Sequence, residues 1–127
     1  MKRDMDLVRE ILMAVEDSGT PLPVADLVSQ DHGIYEVVYH VNLLDSHGLI
    51  DGPSEIQVLD EGNLVRGKID GLTWDGHDYL DAIRDKKVWA KTKQVIKETI
   101  GSTTLSVIKQ VAEKVALSMA LNAIGMV

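Results

Sequence analysis

The sequence predicts a mostly helical α+β chain, and three observations carry that expectation. Apolar residues recur at helical spacing through most of the chain. Two short strand-like segments, residues 55–59 and 64–69, flank the polar turn Asp60-Glu-Gly-Asn63. The run Leu72-Thr-Trp-Asp-Gly-His-Asp-Tyr-Leu-Asp-Ala-Ile-Arg84 reads as a strand end followed by a capped helix, with Thr73 as cap and Leu80 and Ile83 turned inward.

The elements follow in order. Leu7, Val8, Ile11, Leu12 and Val15 form one stripe of a first helix over residues 4 to 18, capped by Asp4 or Asp6 and stopped at Ser18-Gly19. Thr20-Pro-Leu-Pro23 is extended, because each proline drives its predecessor out of the helical region. Residues 24 to 28 make a short second helix. Ser29-Gln-Asp-His-Gly33 turns the chain into a third, residues 34 to 47, with Val37, Val41 and Leu44 buried. Gly48 ends it and Leu49-Ile50 starts a strand.

The hairpin and the helix after Thr73 come next. That order is the order of a winged helix-turn-helix domain, assigned here to residues 1–85. Residues 86–127 form a helical extension. Its first part, residues 84–97, is amphipathic, with Val88, Trp89, Val95 and Ile96 on the apolar side. Gly101-Ser-Thr103 breaks it, and Thr103 or Thr104 caps a last helix over residues 105 to 124.

Composition narrows the function classes. The chain has no Phe and only 4% aromatic residues, so its core rests on Leu, Val, Ile, Ala and Met. Absence of Cys removes disulfides and thiolate metal sites, which agrees with a cytoplasmic setting. No apolar run follows the Met-Lys-Arg-Asp start, so no signal peptide is expected. Residues 1–80 hold 5 Lys and Arg against 16 Asp and Glu, a balance of −11, whereas residues 81–127 hold 8 against 4, a balance of +4. An acidic body repels a phosphate backbone.

The third helix is the candidate recognition element. It would present Tyr35, Glu36, Val38, Tyr39 and Asn42, with Arg66 and Lys68 on the wing beside it. Asn42 has the groups to read adenine, and the tyrosines would touch phosphate or a thymine methyl. This helix contains no Lys or Arg, however, and carries Glu36 and Asp45. A protein-facing surface suits those residues better than DNA does.

No catalytic, cofactor-binding or metal-binding set emerges. His40 and His47 lie about two turns apart, ~10 Å along a helix, too far for one ion. His32, His40, His47 and His77 are therefore expected to be structural or solvent-facing. His77 is expected to pack on the wing. Asp75, Asp78 and Asp81 share a face without a partner base and read as solvated. Phosphate-binding glycine loops and nucleophile elbows are absent.

Gly76 falls at the third position after the Thr73 cap, where Glu would complete a capping box. Glycine there costs about 1 kcal/mol of helix propensity. Close approach to a neighbouring backbone is the expected reason, leaving Trp74 to cover an edge of the core.

The last helix points to association. Leu105, Ile108, Ala112, Val115 and Met119 repeat at three- and four-residue steps. Leu117, Leu121 and Ile124 form a second apolar line. The uncharged stretch 115–127 would span ~20 Å as a helix, short of the ~30 Å hydrocarbon core, so a membrane span is not expected.

Two resemblances add to this. Val37-Val-Tyr-His-Val-Asn-Leu-Leu-Asp-Ser-His-Gly-Leu-Ile50 is similar to the recognition-helix-to-strand passage of winged helix-turn-helix regulators. The start Met-Lys-Arg-Asp-Met-Asp-Leu, Tyr39-His40, Gly48-Leu-Ile50, Leu72 to Asp85 and Val88-Trp89 together resemble a family of short bacterial and prophage-borne proteins of unknown function, over roughly residues 1 to 100. That resemblance implies the fold and a phage or mobile-element context, and no activity.

The expected function is a small non-enzymatic regulatory or adaptor protein, cytoplasmic, without cofactor, acting through protein contacts as a homodimer. A dimeric DNA-binding regulator is the alternative. An acidic decoy that occupies a host protein's nucleic-acid site is the third.

Overall fold

The computed structural model describes residues 1–53 and 56–125. Five α-helices and three two-stranded antiparallel pairs are present among them, a mostly helical α+β arrangement. The chain forms two compact units, residues 1–78 and 79–127.

The first unit begins with α1, Met5–Asp17. Asp4 caps it: its carboxylate accepts from the backbone N–H groups of Asp6 and Leu7. The predicted stripe of Leu7, Val8, Ile11, Leu12 and Val15 is buried. Strand β1, Leu22–Pro23, leads into the short helix expected over residues 24 to 28, which is a single 3-10 turn, Val24–Leu27. Pro23 precedes it with no capping side chain, and Val28 already leaves the helical region, so only one tight turn fits. Helix α2 runs over Ile34–Ser46 and buries Val37, His40, Val41 and Leu44.

The strands follow as β2 (Ile50–Asp51), β3 (Gln57–Leu59), β4 (Leu64–Arg66), β5 (Lys68–Ile69) and β6 (Gly71–Leu72). The start of the first predicted hairpin strand, at Glu55, lies outside the described residues. The second predicted strand, 64–69, is divided at Gly67, whose φ is +134°. From there its halves serve different partners. β4 pairs with β3 (Val58 opposite Val65), and β5 pairs with β1 (Leu22 opposite Ile69). β6 then pairs with β2, Ile50 opposite Leu72. One run of chain, residues 64–72, thus ties the hairpin, the first connector and the exit of α2 together.

Helix α3, Trp74–Ile83, starts in the first unit and ends in the second. The sequence placed the division at residue 85. In the second unit, the buried Tyr79 hydroxyl donates to the Leu105 carbonyl, 3.0 Å away, and so binds the latter half of α3 to the last helix. Asp85 caps α4, Lys86–Thr99, through the N–H groups of Lys87 and Val88. Thr104 caps α5, Leu105–Ala123. A short connector makes α5 return along α4. Val88, Trp89, Thr92 and Ile96 of α4 and Leu105, Ile108 and Ala112 of α5 are buried. Thr92 satisfies its hydroxyl by donating to the Val88 carbonyl at 2.7 Å. None of the helices among the described residues is long and apolar enough to cross a membrane.

Candidate interaction face

Helix α2 positions the face, and its own burial pattern decides what is left outside. Val37, Val41 and Leu44 point inward, so Tyr35, Val38, Tyr39 and Asn42, spaced by three and four residues, share the other side. Tyr35 is 61% exposed. Asn42 is exposed, whereas Val38 and Tyr39 are half-buried. The Tyr39 ring meets the His40 ring edge-on at 5.5 Å.

The hairpin turn joins this face through Tyr35. Asp60 and Glu61 both adopt positive φ, near +50°, and Gly62 follows at +93°. A Cβ on Gly62 would sit 2.9 Å from the Tyr35 ring edge and hydroxyl. The turn therefore packs against the edge of the Tyr35 ring, and the positive φ at position 62 favours glycine there. Arg66 and Lys68 are exposed on β4 and β5. Asp60, Glu61 and Glu36 accompany the tyrosine, and no Lys or Arg lies within Ile34–Ser46. The tip of the hairpin and the start of α2 form a polar, acidic surface around one exposed aromatic ring.

His40, expected to be structural or solvent-facing, is structural. It is fully buried. Its Nε2 accepts from the Asp4 backbone N–H at 2.8 Å, and its Nδ1 donates to the Glu36 carbonyl at 2.8 Å. The tautomer with the proton on Nδ1 satisfies both bonds. His40 thus fastens the start of α1 to the first turn of α2. A buried polar residue at a stripe position beside Val37, Val41 and Leu44 was the available signal.

His32 is placed beside carboxylates. Its Nδ1 lies 2.9 Å from Glu36, and its Nε2 lies 3.8 Å from Glu10 on α1. The hydrogen bond to Glu36 raises its pKa above 6.5; partial burial opposes this, and the charges of Glu36, Glu10 and Asp4 add to the rise. One donor atom from each of Asp4, His32 and Glu36 lies within 4.8 Å of the others, the one group among the described residues able to converge on a metal ion. The Asp4 carboxylate is already engaged as the α1 cap, and His32 and Glu36 are hydrogen-bonded to each other.

Two expectations near α3 are corrected. Trp74 does not cover the core; it is 84% exposed. Gly76, two residues on and about 200° around the helix, faces the protein, so Trp74 faces away. His77 does not pack on the wing. It is largely exposed, with Nδ1 3.6 Å from Glu16 of α1. Asp75, Asp78 and Asp81 are exposed, and Asp81 pairs with Arg84 at 2.7 Å.

Of the residues expected to associate, Leu105, Ile108 and Ala112 are buried within the chain itself. Val115 is half-buried and Met119 is 38% exposed. The exposed apolar surface of α5 is instead the second line, with Leu117 and Ile124 exposed and Leu121 half-buried. The final two residues of the uncharged stretch, 126 and 127, lie outside the described residues.

The family model described as hypothetical protein DUF2513 matches residues 2–103, from the α1 cap through α4. The chain belongs to the DUF2513 family. An uncharacterized protein of Haemophilus influenzae is 37% identical over 123 residues, which cover 94% of this chain and 98% of that relative. No solved structure matches the chain. In this DUF2513 protein, α5 lies beyond the span that the family model covers.

Proposed function

We propose that this DUF2513 protein is a small non-enzymatic regulatory or adaptor protein, of phage or mobile-element origin, whose first unit is a winged-helix domain that meets a protein partner through α2 and the β3–β4 hairpin. The winged-helix assignment is supported by the order of α1, β1, a helical turn, α2, β2 and then a hairpin whose second strand continues back to β1 and β2. The observation that carries the protein-binding reading is the exposed Tyr35 ring, backed by the hairpin turn, on a helix without Lys or Arg. Aromatic residues in such positions act as anchors in protein interfaces. A DNA reader would gain much of its affinity from cations on phosphate, and α2 carries none. The reading places the protein in the cytoplasm.

A tagged full chain is the reagent for the test. Under this reading it captures a protein from cells that naturally make it, the capture survives nuclease and moderate salt, and Tyr35→Ala and Asn42→Ala each diminish it. Mixed-sequence duplex DNA is not bound at about 150 mM salt, a condition under which nonspecific binders show ~10⁻⁴–10⁻⁶ M. The second reading is a DNA-binding regulator, favoured by the exposed Arg66 and Lys68 at the wing. Salt-sensitive duplex binding at micromolar affinity, lost on Arg66→Ala and Lys68→Ala, would install it in place of the first.

We also propose that the chain forms a dimer through the line of Leu117, Leu121 and Ile124. Residues 115–125 carry no charge, so two copies of this surface meet without like-charge repulsion.

A further inference from the structure

The second unit contains an open groove of about 810 Å³ between α4 and α5. Val95, Val107, Val111, Val115 and Met119 make its apolar floor. On α5 the last four of these recur every four residues, a single ridge about 18 Å long. Lys87 and Lys91, one turn apart on α4, and Lys114 on α5 stand among its lining residues. No Asp or Glu lines it among the described residues. All eight side chains belong to the one unit.

We propose that this groove takes an acidic amphipathic helix from a partner protein. An elongated apolar trough between two helices is the shape into which a third helix lays its apolar face. Its anchors would be spaced by three and four residues to meet the valine ridge. Lysines on both helices then select Asp and Glu on either side of those anchors, since complementary charge at a rim sets partner choice and approach.

Charge also decides against the other occupants. A second copy docked groove to groove about a two-fold axis would bring a second set of Lys87, Lys91 and Lys114 into the trough with no lining Asp or Glu to pair with them. A nucleic-acid strand would use the lysines but leave the valine floor unoccupied. The dimer line does not compete, because Leu117 is turned about 200° from Val115 around α5. The inference rests on the second unit alone and stands independently of what α2 contacts.

The probe is a synthetic 18-residue helix with Leu anchors at helical spacing flanked by Glu, and a twin with Lys in place of every Glu. Binding to the full-length protein is followed by fluorescence anisotropy. The Glu peptide binds, and the Lys twin binds at least roughly tenfold more weakly. The triple variant Lys87→Glu, Lys91→Glu, Lys114→Glu alters exposed side chains only, so it stays folded, and it inverts the preference between the twins. Val111→Asp, with folding checked by circular dichroism, weakens both peptides. The proposal is overturned if neither peptide binds, or if the triple variant leaves the preference unchanged. It is equally overturned if phosphatidylglycerol vesicles bind the protein in a lysine-dependent manner while both peptides fail. Tyr35→Ala leaves Glu-peptide binding unaltered, so failure here and failure of the α2 reading are separate results.

Discussion

Gly76 in the first turn of α3 lies directly against the carbonyl oxygen of Leu49: a Cβ built on Gly76 would stand 1.9 Å from that oxygen. The same oxygen accepts the Thr73 backbone N–H at 3.1 Å, and the Thr73 hydroxyl donates to Gly48 while accepting from the Gly76 N–H at 3.0 Å. Residues 48–49 and 73–76 are thereby clasped at the place where α2 gives way to β2. The glycine is required for space, since its φ lies outside the region reserved for glycine.

A methyl group at position 76 cannot be accommodated by a side-chain shift, because the opposing atom is backbone. Gly76→Ala is expected to destabilise by about 3 kcal/mol, at or above the top of the ordinary overpacking range of ~1–3 kcal/mol. The gain in helix propensity, about 1 kcal/mol, offsets part of this. Denaturant melts of the two proteins check it; an unchanged midpoint would show that α3 moves away freely.

His40 makes a second forecast. Its loss removes a fully buried ring and strands the Asp4 N–H that it accepts from. His40→Ala is expected to cost about 2–4 kcal/mol, combining a cavity with a broken buried hydrogen bond. His40→Gln, which can still accept from Asp4, is expected to recover part of it. Equal losses in the two variants would mean that shape alone matters there.

The His32–Glu36 pair predicts a pH dependence with a definite sign. The pKa of His32 is raised in the folded state, first by the hydrogen bond to Glu36. Its contribution is therefore fully present below the unfolded value of 6.5 and is lost as pH rises through the raised folded value. Comparing the wild type with His32→Gln, the stability gap should be widest at about pH 5.5 and should close at alkaline pH. Parallel stability curves across that window would refute the assignment.

The apolar line of α5 predicts the oligomeric state. Leu117 is 56% and Ile124 68% exposed. Light scattering of the full chain at tens of micromolar, a concentration that reveals micromolar association, is expected to give a dimer. Leu117→Glu with Ile124→Glu should give a folded monomer, as two copies would then place carboxylates face to face. A monomeric wild type would end the proposal.

Sequence patterning determined what depends on neighbours along the chain. The stripes of α1 and α2, the Thr73 cap, the other two caps as far as a choice of Asp4 or Asp6 and of Thr103 or Thr104, the turn at 60–63 and the unusual glycine at 76 were all legible, because period and capping chemistry are local. So was membership of a family of unknown function, from the runs at 1–12 and 72–85. Tertiary structure decided what depends on residues far apart. Gly67 splits one predicted strand between two partners, a matter of which distant strand lies alongside. His40 is internal because Asp4 offers it a donor from thirty-six residues away. Trp74 faces outward because Leu49 claims the opposite side of α3. Leu105, Ile108 and Ala112 have the spacing of a seam between subunits, but they are buried within their own chain, and Leu117 and Ile124 are left outside. Periodicity shows that a helix face is apolar; only the packed chain shows whether its own residues already cover it.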